Sequence, residues 1–446
     1  MKIIHCLNHF FPGQIAGTEV YCLSLVQELQ QKGIECAVVI PNYGSNITEA
    51  YEIKGVRVIQ YAEPSIVDRA LLMGKRKPDG LAAFSAVLKK ESPAIVHFHE
   101  FTSSNGITQH HVHLAKEMGY KVIMTFHLSG YSCKTGNLMY KDELTCDGII
   151  DTRKCTNCIY SVKHIAPPKK AVLLTTAMLA YKFHYDAGKW GSTLGTAIGF
   201  PFIIQKIRTD LLQLAADCDQ LVVLTRWYKT ILEKNGIASS KITHIAQGLP
   251  RYPGTPATKK NVDHDKLRLV YIGRISAVKG IQLLIDAMQN LPAEQVSLDI
   301  YGEINNDAYT NACQRSAAAL TNIHWKGSID PASVVNVLSG YDVLCLPSAF
   351  SEMSPLVIRE AFAAAVPVLA SDVYGNAEQV TDDVNGWLFK FKSSADLTAK
   401  LSRLLQNREL IEAAKRNIPP VRSFSEVATE YGSLYQRILQ TAPVIL

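Results

Sequence analysis

The sequence predicts an α/β protein made of two doubly wound, Rossmann-like parallel-sheet domains facing a cleft. Three observations predict it. Short apolar runs alternate with helical periodicity along most of the chain, the pattern of a parallel sheet covered by helices on both faces. The alternation breaks once, at 251–265, into Pro, Gly, Thr, Lys and Asn, and then restarts. Finally, 446 residues exceed what one ordinary core organises.

The first domain is expected over 1–250. Strand-like runs fall at 3–7, 36–40, 95–99, 122–126 and 221–224, and Val20, Leu23, Val26 and Leu29 mark the buried stripe of a helix between the first two. After a linker at 251–265, the second domain occupies 266–422, with strands at 267–272, 296–301, 343–346 and 366–369. The last segment, 423–446, has apolar residues at helical spacing and no strand after it. It is expected to return onto the first domain. Ligands of such sheets bind beyond the carboxyl ends of the strands.

Composition is globular, at 47% hydrophobic and 19% charged. A net charge of +6 is mild. It suits an anionic substrate or membrane surface and is no nucleic-acid signature. The start, Met1-Lys2-Ile3-Ile4-His5-Cys6-Leu7, reads as a first strand and not as a signal peptide. Ten cysteines without an export signal suggest a reducing compartment and metal ligation in place of disulfides. No apolar run reaches the ~18 residues of a membrane span. A cytoplasmic protein is expected, with the inner face of the cell membrane as a candidate resting place.

The most informative segment is Ser351-Glu352-Met353-Ser354-Pro355-Leu356-Val357-Ile358-Arg359-Glu360. Ser354 suits an N-cap and Pro355 a first helical residue. The amides of such a helix start, around Ser354, Pro355, Leu356 and Val357, seat a phosphate. Glu360 follows about 8 Å along the helix, at ~1.5 Å per residue, where it could accept both hydroxyls of a ribose. Glu352 precedes the helix and would face the other side of the ligand. Acceptor, anion seat, acceptor is the polarity of a nucleotide-sugar. Upstream, Gly273-Arg274 ends the second domain's first strand and Lys279-Gly280 opens a helix, adding two cations for a diphosphate.

On these residues, with 361–367 and Asn385-Gly386-Trp387-Leu388-Phe389, the chain resembles the family-4 glycosyltransferases, retaining enzymes of the GT-B fold. The resemblance covers nearly the whole length. It implies that Arg274 and Lys279 hold the donor diphosphate, that Glu360 binds the ribose, and that Glu352 contacts the transferred sugar. It also implies retention of anomeric configuration without a catalytic metal, the departing phosphate oxygen deprotonating the acceptor. The family's Gly-Gly-x-Glu turn reads Ala16-Gly17-Thr18-Glu19 here, leaving Gly17 for close approach to the donor. His127 ends its strand where the family places an active-site histidine. Ala365 stands where the family has glycine before Val-Pro, a difference read as packing.

Two other patterns carry less. Asp217-Cys218-Asp219 and Asp263-His264-Asp265 spell the Asp-x-Asp of metal-dependent transferases, but at a helix end and in the linker. A hydrolytic pair needs its carboxylates ~5 Å apart, which the spacing of Glu352 and Glu360 does not offer easily.

Cys133, Cys146, Cys155 and Cys158 fall within one short stretch, where composition alone gives roughly 0.6 cysteines. Gly130, Gly136, Asp147 and Gly148 mark an insert at 128–165 as a loop poor in apolar residues. A closed, structural zinc site on the four thiols would supply its missing core, with free thiols and an iron–sulfur cluster as the alternatives. Beyond it, a helical insert at 166–205 mixes Phe183, His184, Tyr185, Trp190, Phe200 and Phe202 with Lys169, Lys170, Lys182 and Lys189. That mixture suits a membrane interface or lipid-linked acceptor, and equally an ordinary insert.

The expected function is transfer of a sugar from a nucleotide-sugar donor to a glycan or lipid-linked acceptor, in cell-surface polysaccharide or glycoconjugate synthesis, with no nucleic-acid partner. The rivals are another GT-B activity, such as a phosphorylase or epimerase, and a non-catalytic sugar-nucleotide-binding scaffold.

Overall fold

The computed structural model describes residues 1–13, 16–72, 76–102, 105–251 and 266–440. Most of the expected linker at 251–265 therefore lies outside the described residues. The chain divides into two compact units, Met1–Lys141 with Asp147–Pro250 and Ser423–Leu446, and Asp142–Cys146 with Arg251–Arg422.

In the first unit, strands β1 (Lys2–Cys6), β2 (Glu35–Tyr43), β3 (Glu49–Ile53), β4 (Val56–Glu63), β5 (Ile95–Phe98) and β6 (Lys121–Phe126) come first. The short β7 (Met139–Tyr140) and β8 (Leu144–Thr145) follow, then β9 (Gln220–Val223) and β10 (Ile242–His244). The main sheet has the order β10-β9-β6-β5-β1-β2-β4-β3, parallel except where β3 runs against β4. Strand order reverses between β1 and β5, which pair Ile3 with Ile95 and Cys6 with Phe98.

The second unit holds β11 (Leu267–Ile272), β12 (Val296–Tyr301), β13 (Ile323–Gly327), β14 (Val343–Leu346), β15 (Val368–Ser371) and β16 (Gly386–Phe389). They form one sheet in the order β13-β12-β11-β14-β15-β16 with every pairing parallel. Alternation along β11 explains why both faces are covered. Leu267, Leu269 and Tyr271 enter one core and Val270 and Ile272 the other. Both sheets are thus doubly wound, each with a switch point where ligands of such folds bind.

The last helix, Phe424–Gln440, belongs to the first unit. Phe424, Val427, Ala428, Tyr431, Leu434, Tyr435 and Ile438 form its buried stripe, packed in one core with Tyr21, Leu25 and Leu29 of the helix Gly17–Gln31. Its start is a capping box: Ser423 Oγ accepts from the Glu426 amide at 3.3 Å, and the Glu426 carboxylate accepts from the Ser423 amide at 2.8 Å.

The cysteine-bearing insert departs from the loop expected of it. Thr152–Val162 is an α-helix, begun by Asp151, whose carboxylate accepts from the Lys154 amide at 2.6 Å. It buries Thr156, Ile159 and Tyr160, and packs with the helices Pro167–Lys182 and Phe200–Asp217. Asn235 ties the segment before it to the helix Arg226–Lys234, accepting from the Ile150 amide and donating to the Gly148 carbonyl. The insert thus has a core of its own. Among the described residues, no helix is long and apolar enough to cross a membrane.

Candidate functional site

In the second unit the residues singled out in the sequence gather at the carboxyl ends of β11 and β14, the two strands flanking the switch point. β11 runs into Gly273, whose amide donates to Tyr301 O, and then into the exposed Arg274. The Tyr271 hydroxyl donates to the Arg274 carbonyl at 2.7 Å, fixing the turn. The Arg274 guanidinium makes no ion pair among the described residues.

A short turn, Ala277–Lys279, then leads to Gly280 at φ +69. A Cβ on Gly280 would lie 1.9 Å from the carbonyl oxygen of Pro347, just past β14. Only glycine lets the two loops close, and the amide of Ala349 seals them by donating to Val278 O at 2.8 Å. This contact brings Lys279 to Glu352. Lys279 Nζ donates to Glu352 Oε1 at 2.7 Å, and the buried Ser348 hydroxyl donates to the same oxygen at 2.7 Å. Phe350 lies under the ammonium, 5.2 Å from it. From behind, Gly375 stands so close to the backbone of Glu352 that a Cβ would sit 2.1 Å from its carbonyl oxygen.

Ser354, Pro355, Leu356 and Val357 follow, all half-buried. The helix begins one residue later than expected, as Leu356–Ala363. Pro355 stays extended, at ψ 121, while its carbonyl accepts from the Ile358 amide, so it occupies the cap position assigned to Ser354. The first amides of that helix have no intrahelical acceptor, and Glu360 is buried one turn on. Ala365 overturns its packing interpretation. Its φ is +56, and the amide of Val366 closes a six-residue loop onto Ala361 O at 2.8 Å. The position wants glycine for its left-handed backbone, not for space.

In the first unit, Gly17 opens its helix with nothing among the described residues within 4 Å of where a Cβ would stand. The Glu19 carboxylate reaches back to accept from the Ala16 amide at 3.0 Å. His127 follows β6, partly open to solvent, yet the protein around its ring holds its pKa down to about 3. Behind it stand residues that the motifs did not reveal. His99 Nδ1 lies 3.2 Å from His127 Nε2, and His99 Nε2 lies 2.9 Å from His5 Nδ1. The available signal was His97-Phe98-His99, two polar rings ending a strand buried on both faces. The Asp-x-Asp at 217–219 is structural: Asp217 faces His113, and Asp219 accepts from Lys116 and the Val122 amide. Asp263-His264-Asp265 lies outside the described residues.

The thiols divide between the units. Cys133, Cys155 and Cys158 belong to the first, and Cys146 to the second, where its carbonyl accepts from the Tyr374 hydroxyl at 2.9 Å. Cys155 and Cys158 stand one turn apart on a helix, not in a tight turn as their spacing suggested. The Lys141 amide donates to Cys158 Sγ at 3.1 Å. The sulfurs of Cys133, Cys155 and Cys158 are not all within 4.8 Å of one another. As donors they suit zinc; their present spacing does not.

Comparison with known proteins agrees with this architecture. Residues 15–145 match the family model for Glycosyltransferase Family 4, and residues 257–419 that for Glycosyl transferases group 1. The chain is a member of the family-4 glycosyltransferases, with the GT-B fold. An N,N'-diacetylbacillosaminyl-diphospho-undecaprenol alpha-1,3-N-acetylgalactosaminyltransferase of Campylobacter jejuni is 26% identical over 185 residues, 41% of this chain and 48% of that protein. The chain spans about half the length of the curated relatives it matches. Among solved structures, sucrose-phosphate synthase from Thermosynechococcus elongatus superposes with a TM-score of 0.68 at 17% identity, over 99% of this chain and 100% of that one. An Anabaena protein in complex with UDP-glucose gives 0.58 at 14% identity, over 98% of each chain.

Proposed function

We propose that the protein transfers a sugar from a nucleotide-sugar to a glycan or lipid-linked acceptor with retention of anomeric configuration. The observation that carries this reading is the placement of Arg274, Lys279, Glu352 and the Leu356–Ala363 helix start around one switch point. In it, Arg274, Lys279 and the helix amides take the diphosphate, Glu360 the ribose, and Glu352 the sugar. Charge grows on the leaving diphosphate as the glycosidic bond breaks, and cations fixed in advance stabilise it. The departing phosphate oxygen receives the proton of the incoming hydroxyl. In the first unit, Gly17 and His127 are assigned to substrate contact. Neighbours solved with UDP-glucose, and with ADP and acarbose, support a nucleotide donor, and the Campylobacter jejuni relative a lipid-linked acceptor.

A thermal-shift series with UDP-, GDP-, ADP- and dTDP-sugars tests the reading. A ligand at 100 times its dissociation constant adds about 2.7 kcal/mol, a readily measured rise in melting temperature. One nucleotide should stand out. No shift with any of them, at millimolar concentration, sinks the proposal.

A further inference from the structure

His127 is one end of a chain of three rings whose other end is closed. His5, next to last on β1, and His99, just past β5, are fully buried. His5 Nδ1 faces His99 Nε2 at 2.9 Å, and His99 Nδ1 faces His127 Nε2 at 3.2 Å. His5 Nε2 is buried with no hydrogen-bond partner among the described residues. His97 takes no part in the chain. Although its ring lies 4.1 Å from that of His99, its nitrogens are engaged by Tyr435 at 2.8 Å and Thr125 at 2.7 Å.

Burial keeps the rings neutral at pH 7, holding His5 and His127 at about 3 and His99 well below the ordinary histidine value. A neutral imidazole carries one N–H and one bare nitrogen. Three neutral rings in series then have only two proton arrangements, with every N–H pointing inward or every N–H pointing outward. The inward arrangement puts an N–H on His5 Nε2, where nothing accepts it. An orphaned buried donor is disfavoured by roughly 5- to 150-fold. The outward arrangement leaves a bare nitrogen there instead. A bare buried nitrogen is the less costly orphan of the two, and the Cys22 sulfur, within 4.8 Å of one ring nitrogen each of His5 and His99, belongs to a thiol that burial keeps protonated.

We propose that His5 and His99 are positioning residues which fix His127 in the tautomer bearing its proton on Nδ1, so that it meets a substrate oxygen as a hydrogen-bond donor and not as a base. The proposal rests on the reading that His127 meets substrate. It explains why polar rings occupy the middle of a parallel sheet, where apolar residues would pack at lower cost.

Long-range nitrogen–proton correlation spectra of the full chain, labelled with nitrogen-15 at histidine, test it without recourse to activity. The His127 signal is identified by its loss in His127→Gln, and the spectra should show the proton on Nδ1. His99→Phe, which removes both hydrogen bonds, should leave His127 averaging between tautomers. It should also lower kcat about tenfold, the scale of one lost hydrogen bond, with little change in KM for the donor. His99→Gln can accept from His5 and donate to His127, and should restore both. His5→Leu frees the chain from its inner end and serves should the His99→Phe protein not fold. A proton on Nε2 of His127, a tautomer unmoved in His99→Phe, or a metal ion retained by His5, Cys22 and His99 overturns the proposal. A proton on Nδ1 with turnover unchanged in His127→Gln leaves the chain standing and overturns the reading that His127 meets substrate.

Discussion

Lys279 Nζ and Glu352 Oε1 meet at 2.7 Å, joining the loops that leave β11 and β14. Both side chains are largely buried, at 17% and 7% exposed. Breaking a buried ion pair from one side leaves an uncompensated charge, at about 3–5 kcal/mol. Lys279→Ala should therefore lose roughly 3 kcal/mol of stability as well as activity. Glu352→Gln in the same background should recover most of that stability and none of the turnover. Urea melts of the two single variants and the double variant check it. Additive losses would mean that the pair is not coupled.

Donor binding and transfer should separate by residue. Glu360→Ala is expected to weaken nucleotide affinity, because ribose is held alike in ground and transition states. Glu352→Ala should mainly slow transfer, because contacts to the moving sugar tighten as charge develops. Arg274→Ala should cost roughly 100-fold or more in turnover, the scale of one prearranged charge stabiliser. Turnover should survive a short exposure to EDTA. Calorimetric titration of nucleotide beside initial rates distinguishes these outcomes, and activity that needed added Mg²⁺ or Mn²⁺ would replace the proposed chemistry with a metal-bridged diphosphate.

Both winding patterns were legible because their signals are local: a short unbroken apolar run on a strand buried on both faces, an apolar residue every third or fourth position on a helix. The 351–360 segment was legible for the same reason, being contiguous. His5 and His99 were not, since their contact joins positions 94 apart and carries no motif. Ser348 was missed because its role depends on where the loop folds back. The helix Thr152–Val162 was hidden by its Cys, Thr and Asn content, although Asp151 before it was a usable N-cap signal.

Ala365 offers a test of stability free of function. An L-residue in the left-handed region is strained by about 1–2 kcal/mol, and glycine gives back part of that gain as entropy in the unfolded chain. Ala365→Gly should stabilise the protein by about 0.5–1 kcal/mol, and Ala365→Val should destabilise it. Guanidinium midpoints decide the matter. A loss of stability in the glycine variant would return the position to packing.

The helical insert presents Phe183 at 73% exposed, with Tyr185, Trp190 and Leu194 also exposed, beside Lys169, Lys182 and Lys189. Apolar side chains among lysines suit an anionic bilayer surface. We expect the protein to sediment with vesicles containing phosphatidylglycerol, less so at high salt, and not with phosphatidylcholine alone. Replacing Phe183 and Trp190 together with serine should weaken that binding by roughly tenfold or more. Binding that is indifferent to lipid charge and to both residues would remove the membrane from the account.

We propose, finally, that Cys133, Cys146, Cys155 and Cys158 hold one structural zinc ion, for which the sulfurs of Cys133, Cys155 and Cys158 must draw closer than they stand here. Cys155 and Cys158 already share one side of a helix, and the amide bonded to Cys158 Sγ is the kind of donor that stabilises a thiolate. Burial raises the Cys158 thiol above its ordinary pKa, so the ion must displace a held proton, and metal uptake should rise with pH. Four thiolates leave no open position for water, so the role is structural. Since the helix Thr152–Val162 has apolar support of its own from Ile159 and Tyr160, loss of the ion should loosen the segment around Cys133 more than that helix. Cys155→Ser should lose metal, become protease-sensitive in the insert, and keep most of its nucleotide affinity. Elemental analysis of protein purified without chelator is the deciding measurement. Zinc near one equivalent, lost in Cys155→Ser, is the expected result; no metal, with all four thiols titrating, ends the proposal.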